Sequence, residues 1–273
     1  MAQVYFSKDN DPEMQAATEK ARETFRYFWR ELSWEYRRII PAFDMFAVKV
    51  PFQDPPEIAE HEGAAGVEHM WITEIGFDGV DITGTLMNSP NWLKSVSEGD
   101  KVDVPLNGIS DWMYVFNGAA HGGFTINLLR SRMSKRERAE HDGAWGLDFG
   151  DPSAIRLVPD FEASQKKGFF ARLFGKKPEP VNPDAEHPMA INMAESLAKF
   201  LKEDPDNATS ADDDGLTMLH SLAMAGTAIG VKTLLKHGAD PSAKTNKGKT
   251  AFDLAKTLGW KQVAQVLKQH SAK

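Results

Sequence analysis

The sequence predicts an α+β domain, one long helix packed on a curved antiparallel sheet, followed by an all-α array of helical repeats. Three observations predict it: an aromatic stripe at helical spacing near the N-terminus, a series of short alternating segments parted by turn residues, and a self-similarity of 33 residues near the C-terminus. The first domain spans residues 1–165, a basic, proline-containing linker 166–185 and the repeat array 186–273.

The opening helix starts at Asp11 and Pro12, a capping residue followed by the one residue whose missing N–H costs nothing at a first turn. Ala21, Phe25, Phe28, Leu32 and Tyr36 recur at spacings of three and four with Trp29 beside them, which predicts a core-facing stripe ending before Pro41. MFAVKVPF (45–52) alternates as a strand. VEHMWITEIGF and VDITGTLM flank Asp78 and Gly79, read as a two-residue hairpin turn. EGDKVDV (98–104) and ISDWMYVFN (109–117) add further strands.

Composition and charge bound the function. The chain of 273 residues has no cysteine, which excludes disulfides and thiolate metal sites, and no apolar run of about 18 residues that could span a bilayer. Its N-terminus lacks a basic region followed by an apolar run, so a cytoplasmic location is expected. Residues 1–165 carry 16 Lys+Arg against 27 Asp+Glu, an acidic surface that disfavours duplex nucleic acid. Residues 166–177, KKGFFARLFGKK, carry five bases and no acid, with Phe169, Phe170, Leu173 and Phe174 among them. Two readings stay open for this stretch: weak contact with a membrane surface, or aromatics that dock on a neighbouring domain.

GAAHGGFT (118–125) has the spacing of a nucleotide-binding P-loop, but Phe124 stands where the lysine should be, and no βαβ series surrounds it. It is read instead as a glycine-rich connection after an antiparallel strand, with Phe124 buried. Ser110 and Asp111 are adjacent, so a strand points them to opposite faces, and no GxSxG elbow is present. Glu60, His61, Glu62, Glu68 and His69 remain as candidates for acid/base or metal work, though two histidines eight residues apart are too few ligands for a metal. No cofactor and no metal are expected. Six of the seven tryptophans lie in the first 145 residues, and large aromatics with a wet polar end serve as binding anchors. The expected recognition surface therefore holds Trp71, Asp111 and Trp112, beside the loop with His121, Gly122 and Gly123.

GLTMLHSLAMAG from Gly215 and GKTAFDLAKTLG from Gly248 align at the spacing of 33, which pairs Thr217 with Thr250 and Gly226 with Gly259. With the second helix closed by Leu234, Leu235 and Gly238, the pattern resembles the ankyrin repeat, in which Met218 replaces the usual proline of the TPLH box while Thr217, Leu219 and His220 are kept. A degenerate copy, residues 190–217, precedes these two, and so short an array is expected to lean on the first domain or on a helix near 188–203 as a cap. The ankyrin resemblance implies protein binding through hairpin tips, which would carry Asp213 and Asp214 in one repeat and Lys244, Asn246 and Lys247 in the next. His220 is expected to be structural.

EHMWITEI (68–75), GTLMNSP (84–90), EGDKVDV, ISDWMY and GGFT resemble the successive motifs of the YegJ-like bacterial domain of unknown function over roughly residues 40–150, a family that implies no reaction. Two function classes follow. One is a non-enzymatic cytoplasmic interaction protein whose partner is another protein, in concrete form an inhibitor or immunity protein that masks a toxin. The alternative is an enzyme on a small molecule with Asp111, His69 or His121 as acid/base groups.

Overall fold

A computed structural model of the chain describes residues 11–58, 66–161 and 181–271. The basic stretch 166–177 and the candidates Glu60, His61 and Glu62 lie outside the described residues. Helix α1 (Pro12–Glu35) begins as expected: the Asp11 carboxylate accepts the amides of Glu13 and Met14, and Pro12 takes the first position. Ala21, Phe25, Phe28 and Leu32 are buried, but Tyr36 lies past the helix end and is exposed, its hydroxyl reaching the Ile75 carbonyl at 2.7 Å.

Six antiparallel strands, β1 (Met45–Phe52), β2 (Glu68–Phe77), β3 (Asp81–Leu86), β4 (Lys101–Pro105), β5 (Asp111–Phe116) and β6 (Ala119–Gly122), form one open sheet in the order β4-β3-β2-β1-β5-β6. Helix α1 covers the face bearing Val48, Ile72, Ile82, Trp112 and Tyr114. The β2–β3 turn sits one residue later than expected: the Asp78 amide pairs with the Asp81 carbonyl, so Gly79 and Val80 are the central residues, and Gly79 takes φ +96°. The Asp78 side chain accepts the amides of Val80 and Asp81 and acts as the turn's brace rather than its tip. A bulge between Thr73 and Gly76 shifts the inward set from Met70 and Ile72 to Ile75 and Phe77, with Glu74 at φ +53°.

Two helices follow β6 that the alternation did not predict, α2 (Phe124–Arg132) and α3 (Lys135–Trp145). The C-terminal region holds α4 (Pro188–Glu203), α5 (Met218–Met224), α6 (Ala228–Lys236), α7 (Ala251–Thr257) and α8 (Lys261–Ser271). Among the described residues no helix is long and apolar enough to cross a membrane.

One apolar core runs through both regions. Tyr27 of α1 meets Trp260 edge to face at 5.8 Å, and the Trp260 indole donates to the Met224 carbonyl at 2.9 Å. Gly79 sits against Met224 and Leu254. Deeper in, Glu31 is fully buried between Arg30 (2.9 Å) and His187 (3.2 Å), the residue that caps α4. Because His187 Nδ1 accepts the Met189 amide, Nε2 carries the proton that Glu31 accepts. Burial pushes the Glu31 carboxyl up, but His187 and Arg30 outweigh it and hold it below its ordinary value. The expected leaning of the repeats is thus realised through α1, whose Arg30 also donates to the carbonyls of Pro183 and Ala185.

Candidate partner-binding site

The repeats are built from a local device used twice. Thr217 caps α5, and His220, three residues on, accepts the Thr217 amide at Nδ1 and donates from Nε2 to the Ala243 carbonyl at 3.0 Å. Thr250 and Asp253 repeat the box at the start of α7, 33 residues later. His220 is therefore a fully buried tie between one helix and the next hairpin, and burial lowers its pKa. Asn246 joins successive tips, since its amide donates to the Asp214 carbonyl (2.9 Å) and its side chain to the Asp213 carbonyl (2.8 Å).

The expected tip residues thus separate into two groups. Asp213, Asp214 and Lys244 have exposed side chains on the outer edge of the array. Lys247, also exposed, is engaged: it pairs with Asp78, at 3.3 Å, and with Asp81 on the β2–β3 turn, so it ties the two regions together. Asn246 is committed to the neighbouring tip.

A second feature lies at the head of the array. Helix α6 follows α5 as the second helix of a repeat, and 33 residues before α6 stands the end of α4. The same step back from α5 covers residues 185–191, the end of the turn before α4 and the first turn of α4 itself, so the leading repeat has its second helix and no separate first helix. A groove of about 570 Å³ occupies that place, lined by Trp34 of α1, by Met193, Leu197 and Phe200 of α4, and by Met218 and Leu222 of α5. Met193 and Phe200 are more than two-fifths exposed.

The sheet face opposite α1 gathers some of the remaining candidates and disperses others. Trp71, Lys49 and Asp111 stand opposite one another across β2, β1 and β5, one row on one face. The Lys49 ammonium lies 5.7 Å from the half-buried Trp71 ring, and burial lowers its pKa while Asp111 opposes that shift. Trp112 belongs to the other face: it is completely buried under α1, its indole donating to the Ala21 carbonyl at 2.9 Å. The expected surface of Trp71, Asp111 and Trp112 is therefore corrected. Successive β5 residues alternate across the sheet, and both faces of β5 are covered, so Asp111 and Trp112 are interior.

Asp111 has a specific partner inside. Its carboxylate accepts four hydrogen bonds, from the amides of Trp112 (2.9 Å), Phe124 (3.0 Å) and Thr125 (2.8 Å) and from the Thr125 hydroxyl (2.6 Å). Two of those amides open α2, so the anion-seeking N-terminus of that helix is already filled by the protein's own carboxylate. The glycine-rich connection does run from a strand into a helix, as a phosphate loop does, and Phe124 is buried as expected, but as the first residue of α2. Gly123 caps that helix at φ +67°. Gly122 takes φ +74° with Trp112 so close that a Cβ would lie 2.4 Å from the ring, so the group approaching this glycine is the protein's own indole.

Ser110 precedes β5, so the alternation expected of it does not apply. The Ser110 hydroxyl meets His69 Nδ1 at 2.7 Å, a pairing that Asp111, engaged with α2, does not orient. Ser110 itself is buried.

His121 stacks on Tyr114 at 4.7 Å and its Nδ1 donates to the Ala119 carbonyl at 3.1 Å. Burial lowers its pKa from 6.5 to about 4. The unfolded chain therefore binds a proton that the folded one refuses between those values. Stability from this site is complete above pH 6.5 and is lost as pH falls towards 4, by up to about 3 kcal/mol. Denaturant titrations at pH 7 and pH 4.5 should show this loss, and His121→Gln should flatten it; an unchanged slope in the variant would remove His121 as its source.

Comparison with known proteins agrees with this architecture. A protein of Neisseria meningitidis serogroup B that bears an ankyrin repeat protein name is 44% identical over 264 residues, 97% of this chain and 96% of its own length. Uncharacterized protein YegJ of Escherichia coli K12 is 31% identical over 97 residues, 36% of this chain and 58% of that protein. Zygote-specific protein 3 of Chlamydomonas reinhardtii is 32% identical over 128 residues, 47% of this chain and 27% of its own length. The model of the family described as uncharacterized protein conserved in bacteria, DUF2314, matches residues 11–149, the stretch that holds α1, the six-stranded sheet and helices α2 and α3, and the chain belongs to that family.

Proposed function

We propose that this chain is a protein-interaction module in which the ankyrin-like array, clamped to the α+β domain through α1, presents its outer tips to another protein. The carrying observation is the division of the tip residues: Lys247 and Asn246 serve internal ties, while Asp213, Asp214 and Lys244 stand exposed on a braced edge. Pre-ordered charged groups contribute to association because little freedom is lost on binding. The acidic first domain suits a role in masking a basic or polar partner, and an inhibitor or immunity protein opposing a toxin is the concrete form of that role. A cytoplasmic location fits it.

The enzymatic alternative assigns acid/base work to Asp111, His69 or His121, of which His69 meets Ser110. Asp111 and His121 are buried and bonded within the protein, and the Ser110 hydroxyl is buried too, which supports binding over acid/base chemistry. The test is capture of a partner by the intact chain, with chemical cross-links mapped onto the array. Asp213→Lys with Asp214→Lys and Lys244→Glu should lower partner retention at least tenfold without changing the melting temperature. Retention unaltered by these reversals would overturn the assignment to the tips.

A further inference from the structure

The groove at the head of the array points to a specific kind of occupant, and we infer that it receives an amphipathic helix of a partner protein, which supplies the missing first helix of the leading repeat. This inference rests on the protein-interaction reading and names the chemistry of one contact.

Three independent features define the occupant. The first is shape: in the complete repeats a first helix packs between its own second helix and the next repeat's first, and here α4 and α5 present those two walls, apolar and, among the described residues, uncovered. The second is a pair of orphaned donors in the lining. The Trp34 indole N–H and the Thr227 hydroxyl are buried and have no hydrogen-bond partner among the described residues, a costly arrangement for groups that an occupant can satisfy. The third is the distribution of charge. Trp34 stacks on His187, the cap of α4, which places it at that end of the groove, and the Arg37 guanidinium lies 5.4 Å over its ring. Among the described residues Arg37 meets no carboxylate. At the other end, where α5 starts beside the 3-10 turn Pro205–Ala208, residues 203–214 hold Glu203, Asp204, Asp206 and Asp212–Asp214 and no base.

A helix dipole aligns with that gradient in one direction only, with its positive N-terminus at the acidic end and its negative C-terminus at Arg37 and Trp34. That direction is antiparallel to α4, as a first helix is to the second in such repeats. An acidic side chain in the occupant's last turn would reach Arg37 and the two orphaned donors. The chain's own KKGFFARLFGKK has a suitable apolar set, but no side-chain oxygen to serve those donors, and its terminal lysines would face Arg37. The charge pattern thus favours a helix from a partner.

The test titrates the full chain with a synthetic helix as long as α4, 16 residues, with leucines at i, i+4, i+7 and i+11 and one glutamate in its last turn. Calorimetry should give saturable one-to-one binding with a Kd of about 1 to 100 μM. Met193→Glu, at an exposed position, should weaken it at least tenfold, and so should lysine in place of the peptide's glutamate. Trp34→Phe, which keeps the ring over His187, should erase most of the preference for glutamate. The inference is overturned if the peptide does not bind, if Met193→Glu leaves its affinity unchanged, or if binding emerges only after Phe169, Phe170 and Phe174 are replaced by serine, which would assign the groove to the chain's own segment. Failure here with a tip-dependent partner still retained leaves the function reading intact; a groove-dependent peptide with no tip dependence does the reverse.

Discussion

Gly226→Val is expected to destabilise the protein by about 3 to 5 kcal/mol, adding a β-branched residue at a left-handed backbone to an overpacked contact. Gly226 sits at φ +70°, and a Cβ there would lie 2.5 Å from Trp260 Cε2 and 2.6 Å from Cδ2. The indole cannot retreat, because it is held by its bond to the Met224 carbonyl and by Tyr27 of α1 behind it. A chain of this size should lose about 10 °C in melting temperature. Gly238→Ala is the control: φ is +93° but nothing lies within 4 Å, so only backbone strain of about 1 to 2 kcal/mol applies. Because Trp260 joins the array to α1, the Gly226 variant should also melt in two steps, the array first, when far-UV circular dichroism is set beside tryptophan fluorescence. A single transition within 2 °C of the parent would show that the repeat packs differently.

What the sequence made legible follows the range of the interactions. The cap at Asp11, the alternation of β1 and the period of 33 are local, and each predicts an element that forms. The β2 bulge was also written locally, in apolar residues that slip from Ile72 to Ile75, an odd step that simple alternation passes over. Helix α3 carries its own signal too, Ser134 with Glu137 in a reciprocal capping box, yet its 11 residues bury nothing, so the search for an apolar stripe misses it. The site was less legible. Trp71 and Asp111 do share a face, as their positions on separate strands allowed, but the residue between them, Lys49, becomes visible only once β1 is known to lie between β2 and β5. That order is non-local: β5 crosses back past three strands to pair with β1. The groove was hidden for a similar reason, since it is defined by a separate first helix that the repeat pattern calls for and that the described residues do not place there.

Asp111→Ala is the second large expected effect, a loss of about 3 to 5 kcal/mol, on the scale of removing one partner from a buried charged cluster. Two contributions oppose each other. Burial raises the Asp111 pKa above its ordinary value although Thr125, Lys49 and the Phe124 amide pull it back, so the ionised carboxylate carries a net penalty that alanine would relieve. Against that relief, alanine leaves the amides of Phe124 and Thr125 and the Thr125 hydroxyl without their acceptor, and leaves the desolvated Lys49 ammonium without the facing charge. Each stranded donor costs about 1 to 3 kcal/mol, and there are three of them, so the loss outweighs the relief. The pH dependence separates this site from His121. A carboxyl with a raised folded pKa binds its proton more tightly in the native state, so its contribution falls as pH rises from the unfolded value of 3.8 through the higher folded one, opposite in sign to the histidine. Subtracting the stability curve of the Asp111→Ala variant from that of the parent between pH 3.5 and 7 should expose that downward slope. A flat difference, or a variant as stable as the parent, would mean that the carboxylate does not hold the start of α2.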